Sequence, residues 1–261
     1  ALPCQIHGLR KMVKTDPALA GKVKYILGLY CHYNMEPDGH LDCLRALGID
    51  PDEIAVFEFR GGGWPGGFRA VMKNGEEKQL HHINIKNIMT VMLRLYGSKR
   101  CYMCTDALCE FGDVGLGDFW AIDYDDEFGD CSWSTMASER TDVGRELLES
   151  AERDGWIEIR DIPPDRYSRR TENFTREKKT EGFVRLRRFD RQNRPRPDFH
   201  FEVPSVSLKG HLMAMTYASF GVFRQPKLRA MALRILFSPF GSLLDRLNTW
   251  RKEVFLKFGG N

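Results

Sequence analysis

The stretch Cys101-Tyr-Met-Cys104-Thr-Asp-Ala-Leu-Cys109 places three of the chain's seven cysteines close together and runs straight into Gly112-Asp-Val-Gly115-Leu-Gly117-Asp118. Thiolates spaced as Cys-x-x-Cys reach one centre because the chain turns back between them. A fold built on such a pair must bring further donors from distant segments. Zinc asks for a second such pair or a pair of histidines, and iron–sulfur clusters ask for four thiolates at looser spacings. The candidates are Cys4, Cys31, Cys43, Cys101, Cys104, Cys109 and Cys131, with no second Cys-x-x-Cys among them. Cys43 sits on an apolar helical face and reads as a small core residue. Disulfides are not expected. Ala1-Leu2-Pro3-Cys4 has no basic region ahead of an apolar one, and the longest apolar run, Leu212 to Phe223, stops at Arg224. That is short of the roughly 20 residues that span a bilayer. The expected location is the reducing cytoplasm.

The net charge of +3 hides an asymmetry. Residues 1–163 carry 18 basic and 27 acidic groups, whereas residues 164–261 carry 21 basic and 9 acidic groups. The change falls at Pro163-Pro164, which predicts a core over 1–163 and a basic, mainly helical region over 164–261. Its densest part, Arg176 to Arg196, crowds like charges together. Such a surface gains from an external anion, for example an acidic redox subunit, a ferredoxin or an anionic coenzyme; the alternatives are the acidic half of the same chain and a solvated face. Nucleic acid is not expected, because few aromatics interleave with the charge.

Apolar spacing predicts helices over 5–14, 39–47, 83–96 and 141–154, the last capped by Asp142. Strands are expected over 22–31, 54–60, 68–72 and 156–162, with a hairpin turn at Asn74-Gly75. The glycine-rich loop around Trp64 is expected to cover a ring, touch a partner or lie exposed. The last fifty residues read as amphipathic helices whose apolar faces include Leu228, Met231, Leu233 and Leu236. The expected fold class is α+β, a mixed α/β core with a helical C-terminal extension.

Pro3-Cys4-Gln5-Ile6, Gly28-Leu29-Tyr30-Cys31-His32, Cys101-x-x-Cys104-Thr-Asp106, Asp113-Val-Gly-Leu-Gly117-Asp118-Phe119-Trp120 and Arg140-Thr141-x-x-Gly144-x-x-Leu147-Leu148 follow one another in that order. This succession, over roughly residues 2–165, resembles the coenzyme F420 hydrogenase/dehydrogenase beta-subunit family. The resemblance implies an iron–sulfur flavoprotein oxidoreductase. It also implies one [4Fe–4S] cluster on Cys4, Cys31, Cys101 and Cys104, with Cys109 either a neighbouring core thiol or a replacement for Cys4. Members carry a further segment ahead of the Pro-Cys-Gln motif, which here starts at residue 3. A split gene, a fragment or part of a longer protein is therefore expected.

The resemblance further implies FAD. The turn of Gly115, Gly117 and Asp118 is expected either beside its ring or as a packing feature. Ser132, Ser134, Arg140 and Thr141, ahead of a helix start, suit its phosphates or an ordinary cap. The Gly112–Asp118 turn is not a dinucleotide fingerprint followed by a helix. The histidines His7, His32, His81 and His82 lack a helical i, i+4 histidine partner. The expected function is electron relay between a hydride donor or acceptor near FAD, coenzyme F420 being one possibility, and the cluster. The alternative is a non-catalytic iron–sulfur wiring or docking subunit without its own flavin. A zinc domain with a basic tail is a weaker third reading.

Overall fold

A computed structural model describes residues 1–63, 66–79, 85–119, 134–219, 221, 223, 225–244, 246 and 247. Trp64, His81, His82, Cys131 and Ser132 lie outside the described residues. The elements begin with α1 (Pro3–Thr15), α2 (Pro17–Ala20), β1 (Leu27–Leu29), α3 (Asp38–Ala46) and β2 (Ile54–Gly61). Next come β3 (Gly67–Met72), β4 (Glu77–Gln79), α4 (Ile85–Tyr96), β5 (Val114–Asp118), β6 (Thr135–Glu139) and α5 (Asp142–Arg153). The later part is helical: α6 (Pro164–Arg176), a π-helical turn (Glu177–Glu181), α7 (Gly182–Arg191), α8 (Leu208–Ser219) and α9 (Pro226–Leu236). The chain is thus mixed α and β with a helical C-terminal region. None of its described helices is long and apolar enough to cross a membrane.

Two compact units share the chain in alternating pieces, Ala1–Tyr33 with Lys99–Met215, and Asn34–Ser98 with Thr216–Asn261. In the first, β5 is the centre of a three-stranded sheet, parallel to β1 and antiparallel to β6. Ile6 of α1, Ile26 and Cys109 form a buried cluster, flanked by Leu9 and Val23. In the second, β2, β3 and β4 form an antiparallel sheet, and Leu44, Ile49, Ala70 and Met72 make the core. The Asn74-Gly75 turn joins β3 to β4 as expected. Leu233 of α9 is fully buried, while Met231 is exposed.

Three expectations change. The strand over 22–31 shrinks to β1, because the Val23 N–H bonds back to Leu19 and keeps the preceding residues in a turn. No strand forms over 156–162. The Trp156 N–H caps α5 at Ala151, and the side chain is 81% exposed. Third, α5 is capped by Thr141, whose hydroxyl accepts from the Gly144 N–H at 3.2 Å, and not by Asp142. Val114–Asp118, expected as a turn beside a ring or as a strand–turn packing feature, is a strand, β5. It forms because both edges of this segment find partners, in β1 and β6.

Candidate functional site

Cys4 stands in the first turn of α1, exposed. Cys31 follows β1 and is tied there by its N–H to the Ala107 carbonyl at 2.9 Å. Cys101 and Cys104 belong to the short 3-10 turn Lys99–Met103 and its exit, closed by the Cys104 N–H on the Cys101 carbonyl at 3.3 Å. These three segments converge. Burial pushes the Cys31 thiol up to about 11; nearby Lys178 opposes this, and Cys101, Cys104 and Cys4 each add to it. The Cys104 thiol is raised too, chiefly by burial, and again feels Cys4.

Cys109 is a buried thiol of the core. It is fully buried with Ile6 and Ile26, and its Sγ donates to the Leu29 carbonyl at 3.0 Å. Burial pushes this thiol up to about 12.

Charged groups of the C-terminal region surround the Cys-x-x-Cys turn. Lys178 Nζ donates to the Cys101 carbonyl at 3.2 Å and lies 3.9 Å from the centre of the Tyr33 ring. Arg185 donates to the Tyr102 carbonyl and to the Glu177 carbonyl, both at 2.8 Å. Glu177 is buried and hydrogen-bonded to His32, the neighbour of Cys31. On the other side His7 meets buried Asp106 at 3.1 Å, and Asp106 also accepts from the N–H groups of Leu108 and Glu110. Burial pushes the Asp106 carboxyl up, but these hydrogen bonds outweigh it and hold the group below its usual range.

The basic stretch 176–196 therefore has internal partners, the alternative to the external anion that its crowding suggested. Besides Lys178 and Arg185, Lys179 pairs with Glu110 at 2.8 Å, Arg187 reaches the Val203 carbonyl, and Arg196 pairs with Asp190 at 2.6 Å. Arg188 stays exposed. Sequence reading missed the role of Lys178, because nothing local separates it from its solvated neighbours. The rare π-helical turn that carries it leaves no mark in the sequence.

The donor set suits an iron–sulfur group. It offers four sulfurs from three segments, the number such a cluster takes. Among the described residues no group of three or more His, Cys, Asp or Glu is arranged to hold a metal ion. A four-iron cluster takes one thiolate on each iron, so its ligands stand further apart than those of a single ion.

The residues expected at FAD fall on β5, β6 and the α5 cap. Gly115 and Gly117 lie under the Tyr30 ring. A Cβ at Gly117 would come within 2.2 Å of that ring. Tyr30 in turn donates to Ser138 at 2.8 Å. Arg140 donates to the Leu108 carbonyl at 3.3 Å and the Tyr167 hydroxyl at 3.2 Å. Thr141 caps α5 and donates to Asp113. Asp118, at the end of β5, and Ser134, just ahead of β6, are exposed.

Comparison with known proteins defines the class. The family model for the C terminus of the coenzyme F420 hydrogenase/dehydrogenase beta subunit matches residues 1–165, and the chain belongs to this family. It is 27% identical over 175 residues to the coenzyme F420-dependent sulfite reductase of Methanocaldococcus jannaschii, covering 62% of this chain and 24% of that protein. To the coenzyme F420 hydrogenase subunit beta of Methanococcus voltae it is 23% identical, covering 61% and 50%. To the F420-dependent formate dehydrogenase 1 subunit beta of Methanococcus maripaludis it is 22% identical, covering 60% and 37%. The chain thus spans half or less of the length of these curated relatives. A chain of the F420-reducing [NiFe] hydrogenase complex from Methanosarcina barkeri aligns over 77% of this chain and 64% of its own, at 17% identity and a TM-score of 0.49.

Proposed function

We propose that this chain is the cluster-bearing part of an oxidoreductase subunit. It relays electrons between a hydride donor or acceptor near FAD, coenzyme F420 being the candidate, and a [4Fe–4S] cluster on Cys4, Cys31, Cys101 and Cys104. The observation that carries the reading is that backbone bonds hold the three cysteine-bearing segments together, the Leu29 N–H on the Ala1 carbonyl and the Cys31 N–H on the Ala107 carbonyl, each at 2.9 Å. When bound, the flavin supplies hydride exchange and the cluster one-electron transfer. The chain's own residues hold the site in shape. The Cys104 N–H closes the turn on the Cys101 carbonyl at 3.3 Å, and Lys178 and Arg185 pin the carbonyls of Cys101 and Tyr102. A rigid turn keeps reorganisation small when charge changes beside it. The electron partner is another redox subunit or a ferredoxin.

One observation favours the alternative, a wiring subunit with a cluster and no flavin of its own: the Tyr30 ring fills the room left by Gly115 and Gly117. On the flavin reading, FAD sits towards Asp118 and Ser134, with Arg140 and Thr141 at its phosphates.

Anaerobic purification with iron, sulfide, zinc and flavin analysis, together with visible spectra, tests both. Flavin bands over broad iron–sulfur absorption support the leading reading. Iron–sulfur absorption alone supports the wiring subunit. A colourless zinc protein overturns both.

A further inference from the structure

Lys178 lies outside the stretch that the family model matches, yet it is the cation set deepest beside the cysteines. It is 1% exposed. Among the described residues no carboxylate pairs with its ammonium, whose contacts are the Cys101 carbonyl and the face of Tyr33. The two acids of the same turn are engaged elsewhere, Glu177 with His32 and Glu181 with Arg176 and Arg185. A buried cation held only by a carbonyl dipole and a ring is costly unless an anion stands near. Its Nζ is bonded to the backbone of Cys101, so the anion set to compensate it is the thiolate-held group assigned to that cysteine and its partners. The π-helical turn is what aims this side chain inward, and such turns occur frequently at functional sites.

We propose that Lys178 is the counter-cation of the thiolate-held cluster and that its charge raises the cluster's reduction potential. This inference rests on the cluster assignment made above. Reduction adds one electron, with no bond made or broken. A cation in a poorly screened interior stabilises the reduced form more than the oxidised one. Lys178 is a tuning residue and ligates nothing.

The test is a dithionite redox titration of the whole chain, followed by electron paramagnetic resonance, with iron and sulfide assayed on each sample. Wild type is compared with Lys178→Met, Lys178→Gln and Lys178→Arg. The expected result is unchanged iron and sulfide in the Met and Gln variants, with the reduction equilibrium shifted at least tenfold towards the oxidised form, about 59 mV. The Arg variant should recover most of that shift. A loaded Met or Gln variant with the wild-type potential overturns the inference while leaving the cluster assignment intact. If neither neutral variant holds a cluster, loading of the Arg variant supports a requirement for charge. Failure of the Arg variant as well shows a requirement for shape and overturns the inference. A wild-type chain without iron and sulfide overturns the cluster assignment itself, and this inference with it.

Discussion

The Thr141 hydroxyl donates to Asp113 Oδ1 at 2.9 Å and so fastens the cap of α5 to the start of β5. The same carboxylate accepts from Arg10 and from the Ile26 N–H, each at 2.8 Å, and the Asp113 carbonyl takes the Arg140 N–H at 2.9 Å. One buried residue thereby joins α1, the approach to β1, β5 and α5. The Asp-Val-Gly and Arg-Thr-x-x-Gly stretches, far apart in the sequence, are two halves of one joint.

Removing that carboxylate leaves the buried Ile26 N–H without a partner and takes one from Arg10 and from Thr141. Asp113→Ala is expected to cost about 2–4 kcal/mol, read from urea unfolding midpoints. Burial pushes the Asp113 carboxyl up, but the bonds from Arg10, Ile26 and Thr141 prevail, so its folded value lies below the ordinary 3.8. The sign follows: the charge contributes its full stability above pH 3.8 and loses it as pH falls through the folded value. The gap between wild type and Asp113→Asn should close in acid. A gap of constant size down to the acid limb would refute this role for the charge.

Gly144 offers a test in which two effects oppose. Alanine in a helix is favoured over glycine by about 1 kcal/mol. Here, however, a Cβ would stand 2.1 Å from the Asp113 carbonyl oxygen, and that backbone cannot swing aside. Overpacking typically costs about 1–3 kcal/mol, so Gly144→Ala should be a net destabilisation. A raised melting temperature in this variant would contradict the joint.

Cysteine replacement separates ligands from core. Cys31→Ser should lose most of its iron on anaerobic gel filtration. Cys109→Ser should keep iron and lose stability, since its thiol is packed against Ile6 and Ile26. Full iron retention in Cys31→Ser, or iron loss in Cys109→Ser alone, would reverse the assignment.

In the cluster-free chain the thiols report their surroundings through pH. Burial pushes Cys31 from 9.0 to about 11, so its thiolate fraction near neutrality falls by about a hundredfold. Iodoacetamide labelling of Cys31, followed by peptide mass analysis, should still rise about tenfold between pH 9 and pH 10. A rise of less than about twofold over that interval would show an unperturbed thiol.

Much that is local was legible in the order of residues alone. The spacing of Leu147, Leu148 and Ala151 marks α5, Asn74-Gly75 marks the β3–β4 turn, and the ordered motifs around Cys4, Cys31, Cys101 and Cys104 mark the family. Periodicity and turn chemistry act between near neighbours, so they can be read without a fold. The segments 22–31 and 156–162 misled because a strand exists only where another strand supplies its hydrogen bonds. The basic stretch 176–196 left its partners open because a count of charges does not say which way a side chain points. Tertiary structure alone decided that a π-helical turn drives Lys178 into the interior beside Cys101 while Lys179, the next residue, pairs at the surface with Glu110. It likewise decided that Asp113 closes a joint between helices and strands distant in the chain. Burial and long-range pairing depend on what the remainder of the chain brings alongside, and a linear pattern carries no record of that.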